Sequence, residues 1–350
     1  MFAVSLAILS QEFHGRERGT AFGIWGATIS LAVAIGPLVG GALTEWAGWR
    51  WIFFVNIPIG AVCVVAGIRV LHESRDEEHG GFDLPGFVTL TAGLFLLVLA
   101  LLRGTDWGWT SGRTVGLLIA AVLLLVAFLV VELRQRAPMF DVQHFRKPAV
   151  TGAQIVAFTL SSSFFAQFLF IAVYLQNVLH LSPLQTGVRF LPLSLLSFFV
   201  APVAGRLSAR MPPRFLFGAG MSLVGIALLL MHGISKSSDW TTLLSGLIVG
   251  GIGVGMVSAP LASVAVSVVP PRQAGMAAGA NNTFRQVGIA TGIAGLGAIL
   301  QRRHDFIAGL NDALLVAAFV AFAGAVAGLA LVRTRDLVAS GPRPDAPDAA

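Results

Sequence analysis

"AVAIGPLVGG", residues 32–41, gathers two residue types that destabilise helices inside a long apolar run. Proline costs about 3 kcal/mol in a helix interior, and glycine about 1 kcal/mol relative to alanine. The stretch either ends a helix or belongs to one whose neighbours compensate. Ala32, Gly36 and Gly40 recur every four residues, and Gly41 follows directly. That period puts the first three on one helical face. Inside lipid, such a flat stripe lets a second helix approach the backbone closely. Pro37 removes one backbone hydrogen bond and bends the helix locally. A membrane bundle tolerates the bend because adjacent groups can satisfy the freed carbonyl. The helical reading therefore depends on whether this chain lives in a bilayer.

Composition says that it does. The 350 residues are 56% hydrophobic and 11% charged, with a mean hydropathy of +0.82. A soluble domain carries roughly 25% charged residues. Apolar runs recur at 19–42, 51–71, 86–102, 113–133, 150–178, 186–205, 214–232, 240–268, 273–300 and 312–332. Each is near the length a bilayer crossing requires. The opening "MFAVSLAILS" is shorter, and as a helix its apolar part reaches only about 14 Å. It lacks the basic start and small-residue cleavage site of a secretory signal. It is expected to be the tail end of a helix whose beginning is missing. The expected fold class is an all-α integral membrane protein, with about ten full transmembrane helices plus one partial helix.

The net charge of +6 could suggest nucleic acid, but the basic residues are scattered through short loops between apolar runs. They report orientation instead. Arg16, Arg18, Arg69, Arg75, Arg134, Arg136, Arg146, Lys147, Arg206, Arg210, Arg214, Arg272, Arg333, Arg335 and Arg343 fall on one side. Arg50, Arg103, Arg113, Arg189, Lys236, Arg302 and Arg303 fall on the other. The richer side is expected to be cytoplasmic, as is the C-terminus. The segments "HESRDEEHGGFD" (72–83) and "ELRQRAPMFDVQHFRKP" (132–148) are charged connectors, and the second is the best boundary between two unequal membrane halves. The division expected is 1–71, the remainder of an N-terminal helical half; 72–149, two extra linker helices with their connectors; 150–334, a six-helix C-terminal half; and 335–350, a Pro- and Asp-rich disordered tail.

Chemistry-bearing residues are few. All seventeen acids fall in loops or at segment ends, so the chain offers no obvious membrane-embedded proton carrier. The seven histidines show no metal-ligand spacing, and the single cysteine, Cys63, excludes an intrachain disulfide. No metal site and no catalytic residues are expected. The one charge well inside a span is Arg285, in "GANNTFRQVGIATG" with Asn281, Asn282 and Gln286. Such an arginine costs roughly 2.5–3.5 kcal/mol. It either lines a water-filled cavity or snorkels toward the cytoplasm. Gln154, Ser161, Gln167 and Tyr174 are spaced to share a helical face. They could line a substrate cavity or hydrogen-bond between helices; Tyr174 could also sit at the outer interface. Small-xxx-small pairs occur at Gly246/Gly250, Gly251/Gly255, Gly275/Gly279 and Gly288/Gly292. These are packing positions that could also rock between states.

Three stretches resemble one family. "AIGPLVGGALTEWAGWRWIFFVNIPIG" (34–60) resembles the antiporter motif and following helix start of the major facilitator superfamily, in its fourteen-helix drug:proton antiporter branch. Ala32 stands where that motif has glycine. "SPLQTGVRFLPLSLLSFFVAPVAGRLSARMPPR" (182–214) is similar to the second-half copy of the cytoplasmic loop signature, through Gly205, Leu207 and Arg210, with Ala209 at its acidic position. "GGIGVGMVSAPLASVAVSVVPPRQAGMAAGANNTFRQVGIATG" (250–292) looks like the late helix pair of that branch. The resemblance implies a plasma-membrane secondary transporter that exports drugs or amphipathic metabolites in exchange for protons. Its partners would be the bilayer, protons and a small amphipathic substrate, with no cofactor beyond the proton gradient. It also implies that the first three to four helices and the early membrane acid lie outside this chain. A non-transporting fragment of such a transporter is the alternative.

Overall fold

The structure, a computed structural model, describes residues 5, 8, 9, 15–70, 83–135, 146–208, 211–267, 274–303 and 305–332. The described residues are helical almost throughout, with no strand among them. The opening partial helix, the connectors at 71–82 and 136–145, Arg210 and the tail beyond 332 lie wholly or largely outside them.

Ten helices follow in chain order. α1 is Gly15–Trp46, and Pro37 does not interrupt it. Trp51–Phe54 and Asn56–Val70 together make α2. α3 is Leu84–Trp107 and α4 is Gly112–Arg134. α5 runs Pro148–Val178, α6 Pro183–Ser208 and α7 Pro213–Leu230. A 3-10 turn, Trp240–Leu243, leads into α8, Leu244–Ser267. α9 is Ala274–Gln301 and α10 is Phe306–Leu331. Among the described residues, nine segments are long and apolar enough to cross a membrane, from Trp51–Val70 through Phe306–Leu331. The 32 residues of α1 add a helix of about 48 Å.

Local chemistry sets the helix starts. The Asp83 carboxylate accepts from the Gly86 amide and Ser111 Oγ from the Thr114 amide, each satisfying an orphan first-turn donor. Asp305 does the same for α10 through the Ile307 amide. Asp83 Oδ1 also accepts from Gln135 Nε2 at 2.8 Å, clasping the two ends of the α3–α4 hairpin.

α5 to α10 share one apolar core, which runs from Ala149 to Val332. Glycines set its close approaches. A Cβ at Gly288 would come within 2.7 Å of the Phe158 carbonyl oxygen, and one at Gly292 within 2.6 Å of Ala166 Cβ. Both place α9 against α5. Gly251 and Gly255 seat α8 on α6 at Leu193 and Ser197, while Gly246 seats it on α7 at Ala227. Gly279 has no atom within 4 Å among the described residues and makes no such contact. The α3–α4 hairpin packs on itself at Gly93 beneath Leu125, and α3 leans on α9. α1 packs along α6. No residue of α2 is buried.

Candidate functional site

The seam between α1 and α6 comes first, because α1 carries "AVAIGPLVGG". The close approach is there, on a different face from the one expected. No described atom lies within 4 Å of a Cβ added at Gly36 or Gly40, and Ala32 is exposed. The face that meets α6 holds Pro37 and Gly41, which are themselves four residues apart. A Cβ at Gly41 would stand 2.6 Å from the Pro183 carbonyl oxygen and 2.9 Å from Leu184 Cα. A Cβ at Gly187 on α6 would collide with the Pro37 carbonyl oxygen. The two backbones therefore touch directly, a geometry that suits weak Cα–H···O contacts.

A polar clasp finishes the same end of the seam. Ser182 Oγ donates to Glu45 Oε2 at 2.5 Å, and the Leu184 amide donates to the same oxygen at 3.1 Å. The α1 carboxylate thus caps the N-terminus of α6, where the helix dipole favours negative charge. Both groups are exposed, so each bond contributes about 1 kcal/mol or less. Glu45→Ala is expected to raise hydrogen exchange at the Leu184 amide severalfold while exchange in the middle of α6 stays unchanged. Unchanged protection at Leu184 would show the clasp to be incidental.

The polar stripe of α5 is real, and it turns inward. Gln154, Ser161, Gln167 and Tyr174 are 4%, 0%, 0% and 1% exposed. They sit in the packed six-helix body rather than on an open wall. Asn281 Nδ2 of α9 donates to Gln154 Oε1 at 3.1 Å, an interhelical bond between two of the candidate residues. Tyr174 OH donates to the Ser238 carbonyl at 3.3 Å and ties α5 to the loop before α8. Ser161 Oγ and both amide atoms of Gln167 have no hydrogen-bond partner among the described residues.

The helix that carries them is irregular. It widens into π turns at Ser161–Phe165 and Tyr174–Val178. The first follows from its hydroxyls: Thr159 Oγ1 donates to the Ile155 carbonyl at 2.8 Å, and Ser163 Oγ to the Thr159 carbonyl at 2.6 Å. Such back-bonding competes with the helical ladder and bends it. π turns inside α-helices are frequent at functional sites.

On α9, Asn282 and Gln286 are exposed and Arg285 is half-buried. The Arg285 guanidinium lies 5.8 Å from the centre of the Phe165 ring, in the first π turn of α5. This is cation–π distance. Sequence reading missed Phe165, Glu45 and Ser182, because each acts through a helix distant in the chain. Of the loop signature, Gly205 sits 3.6 Å (as an added Cβ) from Ala259 Cβ, Leu207 is exposed, and Arg210 lies outside the described residues.

The comparisons with known proteins agree on one relationship. The chain is 33% identical over 300 residues to the tetracenomycin C resistance and export protein of Streptomyces glaucescens, which covers 85% of this chain and 56% of that protein. It is 34% identical over 297 residues to the multidrug resistance protein Stp of Mycobacterium tuberculosis, covering 85% and 55%. The puromycin resistance protein of Streptomyces alboniger is 35% identical over 298 residues, covering 83% and 58%. The chain thus spans about half the length of the curated relatives it matches. Its fold is similar to a bacterial homolog of the human lysosomal transporter Spinster, in an inward-facing and occupied conformation. The TM-score is 0.53 at 15% identity, covering 95% of this chain and 74% of that one. The Major Facilitator Superfamily model matches residues 1–293, and the chain belongs to that superfamily as a multi-pass membrane protein.

Proposed function

We propose that this chain serves a secondary transporter that exports small amphipathic molecules from the cell in exchange for protons. The observation that carries the reading is the α1–α6 seam. Two long helices from different parts of the chain meet backbone to backbone at Gly41 and Gly187, and Glu45 closes one end. A contact this tight and this small is suited to break and reform as one rigid unit rocks against another, which alternating access requires. The printed names of the relatives, resistance and export proteins, support the direction. The proton as coupling ion rests on the resemblance of residues 34–60 to the antiporter motif. The asymmetry of Lys and Arg supports a plasma-membrane orientation with the C-terminus in the cytoplasm. In that orientation the Glu45–Ser182 end faces outside, so the seam seals the outer mouth while the inner one is open. Transport itself needs no cofactor beyond the gradient.

The test is dye efflux. Cells expressing the chain are loaded with a fluorescent amphipathic dye, and efflux is followed with and without a protonophore. Efflux above the empty-vector rate that collapses with the protonophore is expected. Efflux indifferent to the protonophore would remove the proton-exchange reading.

A further inference from the structure

We propose that Arg285 and Phe165 form a recognition point for an amphipathic organic anion, a carboxylate or sulfonate carried on an apolar body. The inference rests on the transport reading and names the substrate class.

Arg285 is a cation with no counter-ion among the described residues. It lies about 16 Å along α9 from Ala274, inside the 28-residue helix rather than at either end. Among the described residues it makes no hydrogen bond and no ion pair, and its one specific contact is the Phe165 ring. Two arginines near helix ends, by contrast, have acid partners. Arg303 pairs with Asp312 at 2.7 Å and Arg103 with Asp106 at 3.3 Å. No acid of the six-helix body can serve Arg285. Between residues 148 and 331 the sequence holds only Asp239, Asp305 and Asp312. Asp239 and Asp305 cap the starts of helices, and Asp312 holds Arg303.

A half-buried cation left in this state is costly, and an anion brought to it recovers much of that cost. The surroundings suit such a ligand. The guanidinium carbon lies 5.8 Å over the Phe165 ring, its donors have no hydrogen-bond partner among the described residues, and a planar fork binds carboxylate or sulfonate through paired hydrogen bonds. Asn282 and Gln286 are exposed on the same stretch of α9 and add neutral donors. The Phe165 ring offers an apolar surface to the rest of the molecule. A cationic ligand meets repulsion here with no acid of the six-helix body to offset it, so the site discriminates by charge sign.

Matched probes test this. The purified chain is placed in zwitterionic-lipid nanodiscs and titrated with 1-pyrenebutyrate and with its neutral analogue 1-pyrenebutanol. Energy transfer from the seven tryptophans reads binding, with empty nanodiscs subtracted. Wild type is expected to prefer the anion. Arg285→Gln should weaken the anion roughly tenfold or more and leave the alcohol unchanged. Arg285→Lys should fall between, because it keeps charge without the fork. Phe165→Leu should weaken both probes. Equal anion affinity in wild type and Arg285→Gln, or no anion preference in wild type, overturns the proposal. Should Arg285→Gln fail to fold, Arg285→Lys and Phe165→Leu decide by the same criterion. Charge-selective binding together with protonophore-insensitive efflux would retain this site and reject the proton-exchange reading instead.

Discussion

Gly187→Leu is expected to separate α1 from α6 and abolish efflux, with membrane insertion and helix content unchanged. The reason is steric. A single methyl at 187 already collides with the Pro37 carbonyl oxygen, and backbone atoms cannot rotate away as a side chain can. Gly41→Leu should behave alike, since its Cβ would stand 2.6 Å from the Pro183 carbonyl oxygen. Overpacking of this kind costs 1–3 kcal/mol or more, comparable with what one helix–helix seam contributes. Gly36→Leu and Gly40→Leu are the controls. Both positions open onto free space among the described residues, so both should preserve the seam.

The measurement uses cysteines at 45 and 182 in a Cys63→Ser background, Cys63 being the single native cysteine. Rapid cross-linking in the control variants, with its loss in Gly187→Leu and Gly41→Leu, is the expected pattern. The reverse pattern would return the packing role to the period-four stripe at 32, 36 and 40.

That contrast marks where sequence reading stops. A pair of adjacent glycines, Gly40 and Gly41, offers two small-residue faces about 100° apart on a helix. Period alone selects Ala32, Gly36 and Gly40. The partner selects Pro37 and Gly41, and the partner is Gly187, inside the unremarkable string "TGVRF". Span positions were legible because twenty apolar residues have one physical use. The Gln154–Tyr174 spacing was legible too. Its direction was not, because a π turn inserts a residue and rotates everything that follows it. Arg285 stood out from its cost alone, whereas Phe165 beneath it required the fold.

Gln167 is fully buried in α5, and neither its amide nitrogen nor its amide oxygen has a partner among the described residues. An amide buried without hydrogen bonds costs roughly 1–3 kcal/mol by mutational measure. The membrane setting lowers that, since an unfolded helix in lipid also finds partners. Gln167→Met keeps the length and removes both orphan groups. It should raise the thermal midpoint in detergent by a few degrees, corresponding to about 1 kcal/mol. Gln167→Ala should lower it by leaving a cavity. A lower midpoint for Gln167→Met would show that the amide is satisfied in the folded protein, for instance by an internal water. Efflux then separates the two reasons for keeping such a residue. A Gln167→Met variant that is more stable and transports normally makes the glutamine a tolerated defect. One that is more stable and fails to transport makes it a position where α5 exchanges hydrogen bonds between states. The adjoining π turn, with the unpartnered Ser161 hydroxyl one helical stretch away, favours the second outcome.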